Sequence, residues 1–322
     1  MARLAELYAT VAADIQAATD VFRDELDSDQ PFIRELCRHI ERFHGKQVRP
    51  ALLLLSARAC GGVRHEHRVL AAVVEMVHIA TLVHDDVLDE AESRRQAATV
   101  NTLAGNERAV LLGDFLISHA YHLCSSVDTQ AARLIARTTN EVCEGEMMQV
   151  AHRGDWELRE EQYTEIIRRK TASLIGACCL LGARYAGADE RTETLMARFG
   201  VSLGMAFQII DDLLDITGDE SVVGKSLGRD VAKGKLTLPL IHYLRECAPR
   251  AKAEMLDLLT SDAPDRQARI AQRLAHSDSI EYARQAARSH VAEAQSAITE
   301  LPPSPARDAL SAVAEFVLYR RQ

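Results

Sequence analysis

Aromatic residues are scarce in this chain of 322 residues: they form 5% of it, with one tryptophan, while the apolar fraction as a whole is an ordinary 47%. A core must therefore be built mainly from Ala, Leu, Val and Ile. Proline is absent from residues 51 to 238, and the same stretch contains no Asn-Gly or Asp-Gly pair. Proline breaks helices and those pairs nucleate hairpins, so the middle of the chain reads as helix, not sheet. No apolar run reaches the length of a membrane span. The opening Met1-Ala2-Arg3-Leu4-Ala5-Glu6-Leu7 lacks a signal-peptide pattern. The seven cysteines (37, 60, 124, 143, 178, 179 and 247) include no CxxC and are odd in number. Free, mostly buried thiols in a reducing compartment are expected, hence a soluble cytoplasmic protein. Positive charge is in deficit, 38 Lys and Arg against 47 Asp and Glu, for a net −9. That balance argues against a general nucleic-acid binder.

What is present is helical periodicity. No linker, repeat or low-complexity segment interrupts it, so residues 1–322 read as one all-α domain. An amphipathic helix is expected over about 3–27, with Leu4, Leu7, Tyr8, Val11 and Ile15 on one face. Pro31 opens a second helix ending near His44-Gly45. Further helices are expected from Leu52 to Cys60, and over about 66–90, 106–126, 129–152, 158–186 and 190–217. A loop carrying Arg94 and Arg95 follows the 66–90 helix. The segment 218–235 holds Gly218, Gly224, Gly228 and Gly234 with Lys225, Arg229, Lys233 and Lys235, and reads as a mobile basic flap. Helices resume over about 236–246. Asp278 with Glu281 suggests a capping box for a helix to about 300, and Ser304-Pro305 opens the last helix.

Two copies of one acidic pattern dominate this frame: Asp85-Asp86-Val87-Leu88-Asp89 and Asp211-Asp212-Leu213-Leu214-Asp215. Three- and four-residue spacing brings each trio of carboxylates to one side of its helix. A single run of Asp is usually a solvated face or a cap. Two copies, each inside apolar helical sequence, call for a neutralising cation. Carboxylate oxygens without His or thiolate suit Mg²⁺, which shares its shell with water and substrate phosphates. Two facing clusters would hold a diphosphate between several such ions. Cations gather around these motifs in the sequence: Lys46 and Arg49 beside Gly45 and Pro50, His78 two turns before Asp85, then Arg94, Arg95, Lys170, Lys225 and Lys235. Each alone reads as a surface charge; together they suit phosphate, with Arg for bidentate contact and Lys as a mobile charge.

These residues resemble, in order and over nearly the whole chain, the trans-isoprenyl diphosphate synthases of the polyprenyl synthetase family. His44-Gly45-Lys46-Gln47-Val48-Arg49-Pro50 resembles that family's GGKRxRP segment, with His44 in place of the first Gly and Gln47 in place of the first Arg. Glu75 to Glu90 with Arg94-Arg95 resembles the first aspartate-rich motif and its flanks. Lys170-Thr171, Phe207 to Asp215, Gly224-Lys225 and Gly234-Lys235-Leu236-Thr237-Leu238-Pro239 match the remaining landmarks. The resemblance implies a single-domain, isoprenoid-synthase-type helical bundle with a central cavity, usually a homodimer. It implies a Mg²⁺-dependent condensation of isopentenyl diphosphate onto an allylic diphosphate, with about three ions per site. Asp85, Asp86, Asp89, Asp211, Asp212 and Asp215 would hold the metal, and Arg94, Lys170 and Lys225 would help stabilise the leaving diphosphate. Lys46, Arg49, His78 and Arg95 would hold isopentenyl diphosphate. Lys235 would contact substrate, and Thr171 and Gln208 the reacting ends.

Product length is set, in that family, by the positions just before the first Asp. Here they are the small Ala80 and Thr81, so the tunnel should stay open past Val77, Val74 and Val73. Met147 or Met148 would be a lower plug or ordinary core. His78-Ile79-Ala80-Thr81-Leu82, Glu144-Gly145-Glu146-Met147-Met148-Gln149 and Leu301-Pro302-Pro303-Ser304-Pro305 resemble the long-chain members of bacterial quinone biosynthesis. A hexa- to decaprenyl product is therefore expected, with a farnesyl or geranylgeranyl synthase as the alternative. A class I terpene cyclase has no use for Lys46, Arg49 and His78. A di-iron bundle would need more than Glu41-x-x-His44 and Glu75-x-x-His78. A non-catalytic partner subunit should have lost an acidic motif.

Overall fold

The computed structural model describes residues 6–43, 45–95, 97–218, 228–261 and 263–320. The helices are α1 (Ala12–Glu25), α2 (Pro31–Ile40), α3 (Val48–Cys60), α4 (His65–Leu88), α5 (Val100–Ala104), α6 (Asn106–Val127), α7 (Thr129–Ala151), α8 (Glu160–Ile167), α9 (Ser173–Ala186) and α10 (Glu190–Thr217). They continue with α11 (Arg229–Ala232), α12 (Leu238–Glu246), α13 (Pro249–Thr260), α14 (Arg266–Ala275), α15 (Ser279–Ala297) and α16 (Pro305–Tyr319). The fold is all-α. Proline works here as a helix starter: it stands in the first turn of α2, α12 and α13, where its missing N–H costs no bond. Ser304 caps α16, its Oγ accepting the Arg307 N–H at 3.2 Å.

Several expected boundaries move, each for a local reason. The segment of Arg94 and Arg95 is not a plain loop. Ser93–Arg94 (β1) pairs antiparallel with Ala97–Ala98 (β2), Ser93 opposite Ala98 and Arg94 opposite Ala97, around Arg95 in a left-handed turn (φ 50°). The helix expected from Leu52 begins at Val48, because left-handed Gln47 (φ 46°) sets its start and Pro50 falls inside the first turn. The expected 158–186 helix is two helices joined by a π turn, Arg168–Ala172, which apolar spacing does not encode. α2 stops at Ile40 and continues as a 3₁₀ turn, Glu41–Phe43. α13 and α14 had no counterpart in the reading of the sequence. Of the expected basic flap, residues 219–227, Lys225 among them, lie outside the described residues, as does His44; Arg229–Ala232 is a short helix.

The chain forms two compact units, each assembled from separated stretches. The first takes Met1–Asn140, Leu174–Gly200 and Ala297–Val313; the second takes Glu141–Ser173, Val201–Ser296 and Ala314–Gln322. In the first, α4 is the axis: Leu70, Ala71, Ala72, Val73, Val74, Met76 and Val77 are all 1% exposed or less. A helix apolar all round must be covered all round. α6, α1 and α3 do this, and α3 contributes the fully buried run Leu52-Leu53-Leu54-Leu55. Burying each leucine stabilises by about 2 kcal/mol. Buried Asp14 of α1 ties the three inner helices together, accepting from Arg58 of α3 (3.2 Å) and Arg68 of α4 (3.0 Å). In the second unit the apolar residues of α10 (Leu203, Met205, Ala206, Ile209, Ile210, Leu213) are buried, as are Leu240, Ile241 and Leu244 of α12, which packs on α8.

Both acidic motifs come from this architecture in the same way. Each lies in the last turns of a long buried helix, and neither helix carries a basic residue in its last turn. The C-terminal end of a helix is the negative end of its dipole, so carboxylates placed there are electrostatically disfavoured. Their position asks for positive charge from elsewhere.

Candidate active site

In the first unit the trio on α4 is graded. Asp86 is 2% exposed, while Asp85 and Asp89 are half-buried. The β1–β2 ribbon delivers a counterion to the buried member: Arg94 Nε lies 2.9 and 3.0 Å from the two Asp86 carboxylate oxygens and Nη2 lies 2.8 Å from Oδ1. The adjacent Arg95 donates to the Phe43 carbonyl oxygen. Arg49, in the first turn of α3, is half-buried, and its enclosed Nε has no hydrogen-bond partner among the described residues. Burial pulls the Arg49 guanidinium below the usual arginine range; Glu75 opposes that shift and the charge of Arg95 adds to it. Arg95 is lowered too, by burial and then by Arg94, again with Glu75 opposing. Two arginines thus sit within each other's field, supported by one buried carboxylate, Glu75 at 4% exposure. Such an arrangement is poised for a polyanion. Lys46 is exposed and His78 half-buried.

On α4, Ala80 and Val77 are fully buried, as are Val73 and Val74. Thr81 is half-buried and its hydroxyl donates to the His78 carbonyl at 2.7 Å.

In the second unit the three carboxylates of the same motif have three different partners. Asp211 is exposed and accepts from Arg320 Nη2 at 2.9 Å. Asp212 is 5% exposed and accepts from the Tyr163 hydroxyl (2.6 Å) and Gln208 Nε2 (2.7 Å). Asp215 accepts the backbone N–H groups of Arg229 (3.3 Å) and Asp230 (3.1 Å), at the start of α11. Thr171 joins the Asp212 network by donating to Gln208 Oε1 at 2.8 Å. Lys170 ion-pairs with Glu146 and donates to Gln149 Oε1 at 2.8 Å. A small cavity of about 90 Å³ gathers Lys170, Thr171, Gln208, Asp212, Asp230 and Lys235. Burial pushes Asp212 well above the usual carboxylate range, Asp230 adds to this, and the two hydrogen bonds counter it. Asp230 is itself pushed up to about 6 by burial and by Asp215, with Lys235 and Lys170 acting against the shift.

The π turn explains how Lys170 and Thr171 arrive there. It inserts an extra residue between α8 and α9 and re-aims side chains, a device common at functional sites. Two glycines let neighbouring helices close on it: a Cβ on Gly145 of α7 would meet the Lys170 backbone, and one on Gly204 of α10 would meet Ala172.

The motif residues are conspicuous in the sequence and their supports are not. Tyr163, Asp230 and Arg320 belong to this site and were not singled out. A conspicuous basic end to a helix was the one available signal for Arg320, whose side chain is 7% exposed and whose guanidinium stacks 3.8 Å over Phe207. Met147 projects outward at 71% exposure and is no core residue, while Met148 is half-buried. Among the described residues no three His, Cys, Asp or Glu side chains enclose a metal ion by themselves. Each all-oxygen donor set at its helix C-terminus suits a hard divalent cation, and the buried Asp212 has only neutral donors in direct contact among the described residues.

Comparison with known proteins finds relatives over nearly the whole chain. Residues 30–276 match the model of the polyprenyl synthetase family. Octaprenyl diphosphate synthase of Escherichia coli (strain K12) is 34% identical over 312 residues, 96% of each chain. A polyprenyl synthase of Caulobacter crescentus CB15, solved with calcium and isoprenyl diphosphate, superposes with a TM-score of 0.94 at 32% identity, covering 99% of this chain and 98% of that one. A decaprenyl diphosphate synthase of Rhodobacter capsulatus superposes at 0.92 with 33% identity, covering 99% of both chains. The chain belongs to the polyprenyl synthetase family. It is a prenyltransferase of isoprenoid biosynthesis.

Proposed function

We propose that the chain joins isopentenyl diphosphate head-to-tail to an allylic diphosphate and repeats the step to a hexa- to decaprenyl diphosphate, serving quinone side chains. The observation that carries this reading is the pair of aspartate-rich helix ends, each lacking a basic residue in its last turn, together with the arginine pair Arg49 and Arg95. The allylic C–O bond breaks to an allylic cation and diphosphate. The double bond of isopentenyl diphosphate attacks the cation, and a proton is lost from the adjacent carbon.

Asp85, Asp86, Asp89, Asp211, Asp212 and Asp215 hold the divalent ions, Mg²⁺ in this reading and about three of them. When bound, these ions supply positive charge for the oxygens of the leaving diphosphate. Arg94, Lys170 and Lys225 add to that charge. Lys46, Arg49, His78 and Arg95 take the diphosphate of isopentenyl diphosphate, and Lys235 contacts substrate. The hydrogen-bonded series Thr171–Gln208–Asp212 orients the reacting ends. The released diphosphate accepts the proton, so no separate protein base is assigned.

The small side chain of Ala80, where a bulky one would stand in the way, supports a path for the growing chain along α4. One functional domain, a homodimer, is proposed; apolar Val110 and Leu111 on α6, 41% and 65% exposed, offer a face for association. Seven free cysteines support a reducing, cytoplasmic setting. No described helix is long and apolar enough to cross a membrane.

The test is a product assay with Mg²⁺, farnesyl diphosphate and labelled isopentenyl diphosphate. The expected result is a ladder ending beyond geranylgeranyl, lost with EDTA, and shortened by Ala80→Phe or Thr81→Tyr. A wild-type product that stops at geranylgeranyl keeps the chemistry and removes the long-chain reading. An unchanged ladder in both variants removes the assignment of the path.

A further inference from the structure

A cavity in the first unit is lined by no residue of the acidic motif. It has a volume of about 620 Å³ and opens between α2 and the α5–α6 segment. Its wall carries Arg34, Arg38 and Arg42, spaced every four residues along α2 and the turn after it, and faces Arg108 of α6. Arg34 is engaged by Asp27 and the Ser28 carbonyl. Arg38, Arg42 and Arg108 pair with no carboxylate among the described residues; Arg108 lies 4.9 Å over the Phe32 ring. Glu35 is the single acid on the wall among the described residues. The remainder includes two large apolar side chains left open, Phe32 at 47% and Leu103 at 56% exposure.

Three guanidinium groups without a carboxylate partner among the described residues line one concavity, in a chain of net charge −9. Like charges held together repel, and a bound polyanion relieves this while offering each arginine a bidentate contact. The volume falls in the range of small-molecule sites, and the apolar patch beside the charges suits an attached hydrocarbon chain. A solvated basic face would explain the arginines, though not the concavity or the exposed Phe32 and Leu103. None of the lining residues belongs to either acidic motif or to the Gly45–Pro50 segment.

We propose that this cavity is a second, non-catalytic site for an amphiphilic phosphate or diphosphate ester. Arg38, Arg42 and Arg108 take the headgroup, and Phe32, Leu36 and Leu103 take the chain.

The test reads binding, not turnover, so its outcome is independent of the proposed condensation. Labelled farnesyl diphosphate is equilibrated by dialysis in EDTA with the full chain, with the triple variant Arg38→Ala, Arg42→Ala, Arg108→Ala, and with Arg49→Ala, Arg95→Ala. The triple variant is expected to lose one class of sites, at least tenfold in affinity, that the second variant retains. Inorganic pyrophosphate should bind that class at least tenfold more weakly than the farnesyl ester, and Phe32→Ser should narrow the gap. Should the triple variant fail to fold, the exposed single change Arg38→Gln carries the same expectation at about threefold. Binding that is unchanged in the triple variant overturns the proposal. So does loss of sedimentation with phosphatidylglycerol vesicles while dialysis stays unchanged, because the arginines would then form a membrane-contact face. A triple variant that becomes monomeric with unchanged dialysis assigns them to a subunit contact and overturns it as well.

Discussion

The two DDxLD motifs share sequence and helix position, yet the fold treats their middle carboxylates differently. Asp86 is buried against a guanidinium that grips both of its oxygens. Asp212 is buried against a phenol and an amide, with no cation in direct contact among the described residues. The first is a neutralised pair that fixes the β1–β2 ribbon to the end of α4. The second is a carboxylate whose ionised form burial disfavours until positive charge arrives. The repeated motif is therefore not one site built twice. The outer residues Asp85 and Asp89 of the first motif are half-buried around a buried middle one, whereas in the second motif Asp211 is exposed, Asp212 buried and Asp215 half-buried.

The comparison can be broken by substitution. The largest effect is expected when a carboxylate proposed to hold metal is removed: Asp85→Ala and Asp211→Ala should each lower kcat by about 10³-fold or more in a steady-state assay. Equal loss in both would support matched roles, and a loss confined to one would show that only that motif supports the leaving group. Next, Asp86→Asn breaks an arginine pair in which the carboxylate is buried and Arg94 is one-fifth exposed. Urea unfolding should register a loss of about 2–3 kcal/mol. Asp212→Asn removes a charge that burial disfavours and keeps polar groups in place, so the metal-free protein should change by less than about 1 kcal/mol. Similar losses in the two variants would erase the distinction drawn here.

Smaller effects probe the scaffold of the second motif. Gly204→Ala places a methyl group against Ala172 and should cost about 1–3 kcal/mol. It should also raise KM, because the π turn carries Lys170 and Thr171. The smallest effect is expected at Glu165, which pairs with Arg168 and Arg169 at the start of that turn. The hydrogen bond from Arg168 is the main cause that holds the Glu165 carboxyl down at about 2. A depressed carboxylate stabilises the fold above its ordinary titration range, and the contribution is lost as pH falls toward about 2. With Glu165 about a third exposed, solvent screening limits it to about 0.5 kcal/mol. Glu165→Gln should therefore be slightly less stable than wild type at pH 7, and the gap should close as the solution is acidified.

The sequence made the long helices legible because α4 and α10 have continuous apolar patterns ending in conspicuous acids. It made the motif residues legible because paired carboxylates beside apolar sequence have few inexpensive explanations. It could not reveal the π turn, which depends on Gly145 and Gly204 meeting residues distant in sequence. The left-handed turns at Gln47 and Arg95 were also hidden, since neither residue type announces that conformation. Tyr163, Asp230 and Arg320 escaped for a related reason: a tyrosine, an aspartate and an arginine on other elements look like ordinary helix residues until tertiary packing brings them to Asp212, Asp215 and Asp211. The ion pair between Arg94 and Asp86 was equally invisible, because eight residues of separation became contact only through the ribbon.

The most direct test is the urea midpoint of wild type and Asp212→Asn, each measured in EDTA and in MgCl₂ with inorganic pyrophosphate. The account predicts that metal and pyrophosphate stabilise the wild type by about 2.7 kcal/mol at a hundredfold excess over Kd. It predicts that Asp212→Asn loses most of that gain while matching the wild type in EDTA. An equal gain in both proteins, or none in the wild type, would contradict the claim that the buried carboxylate of the second motif awaits a divalent cation.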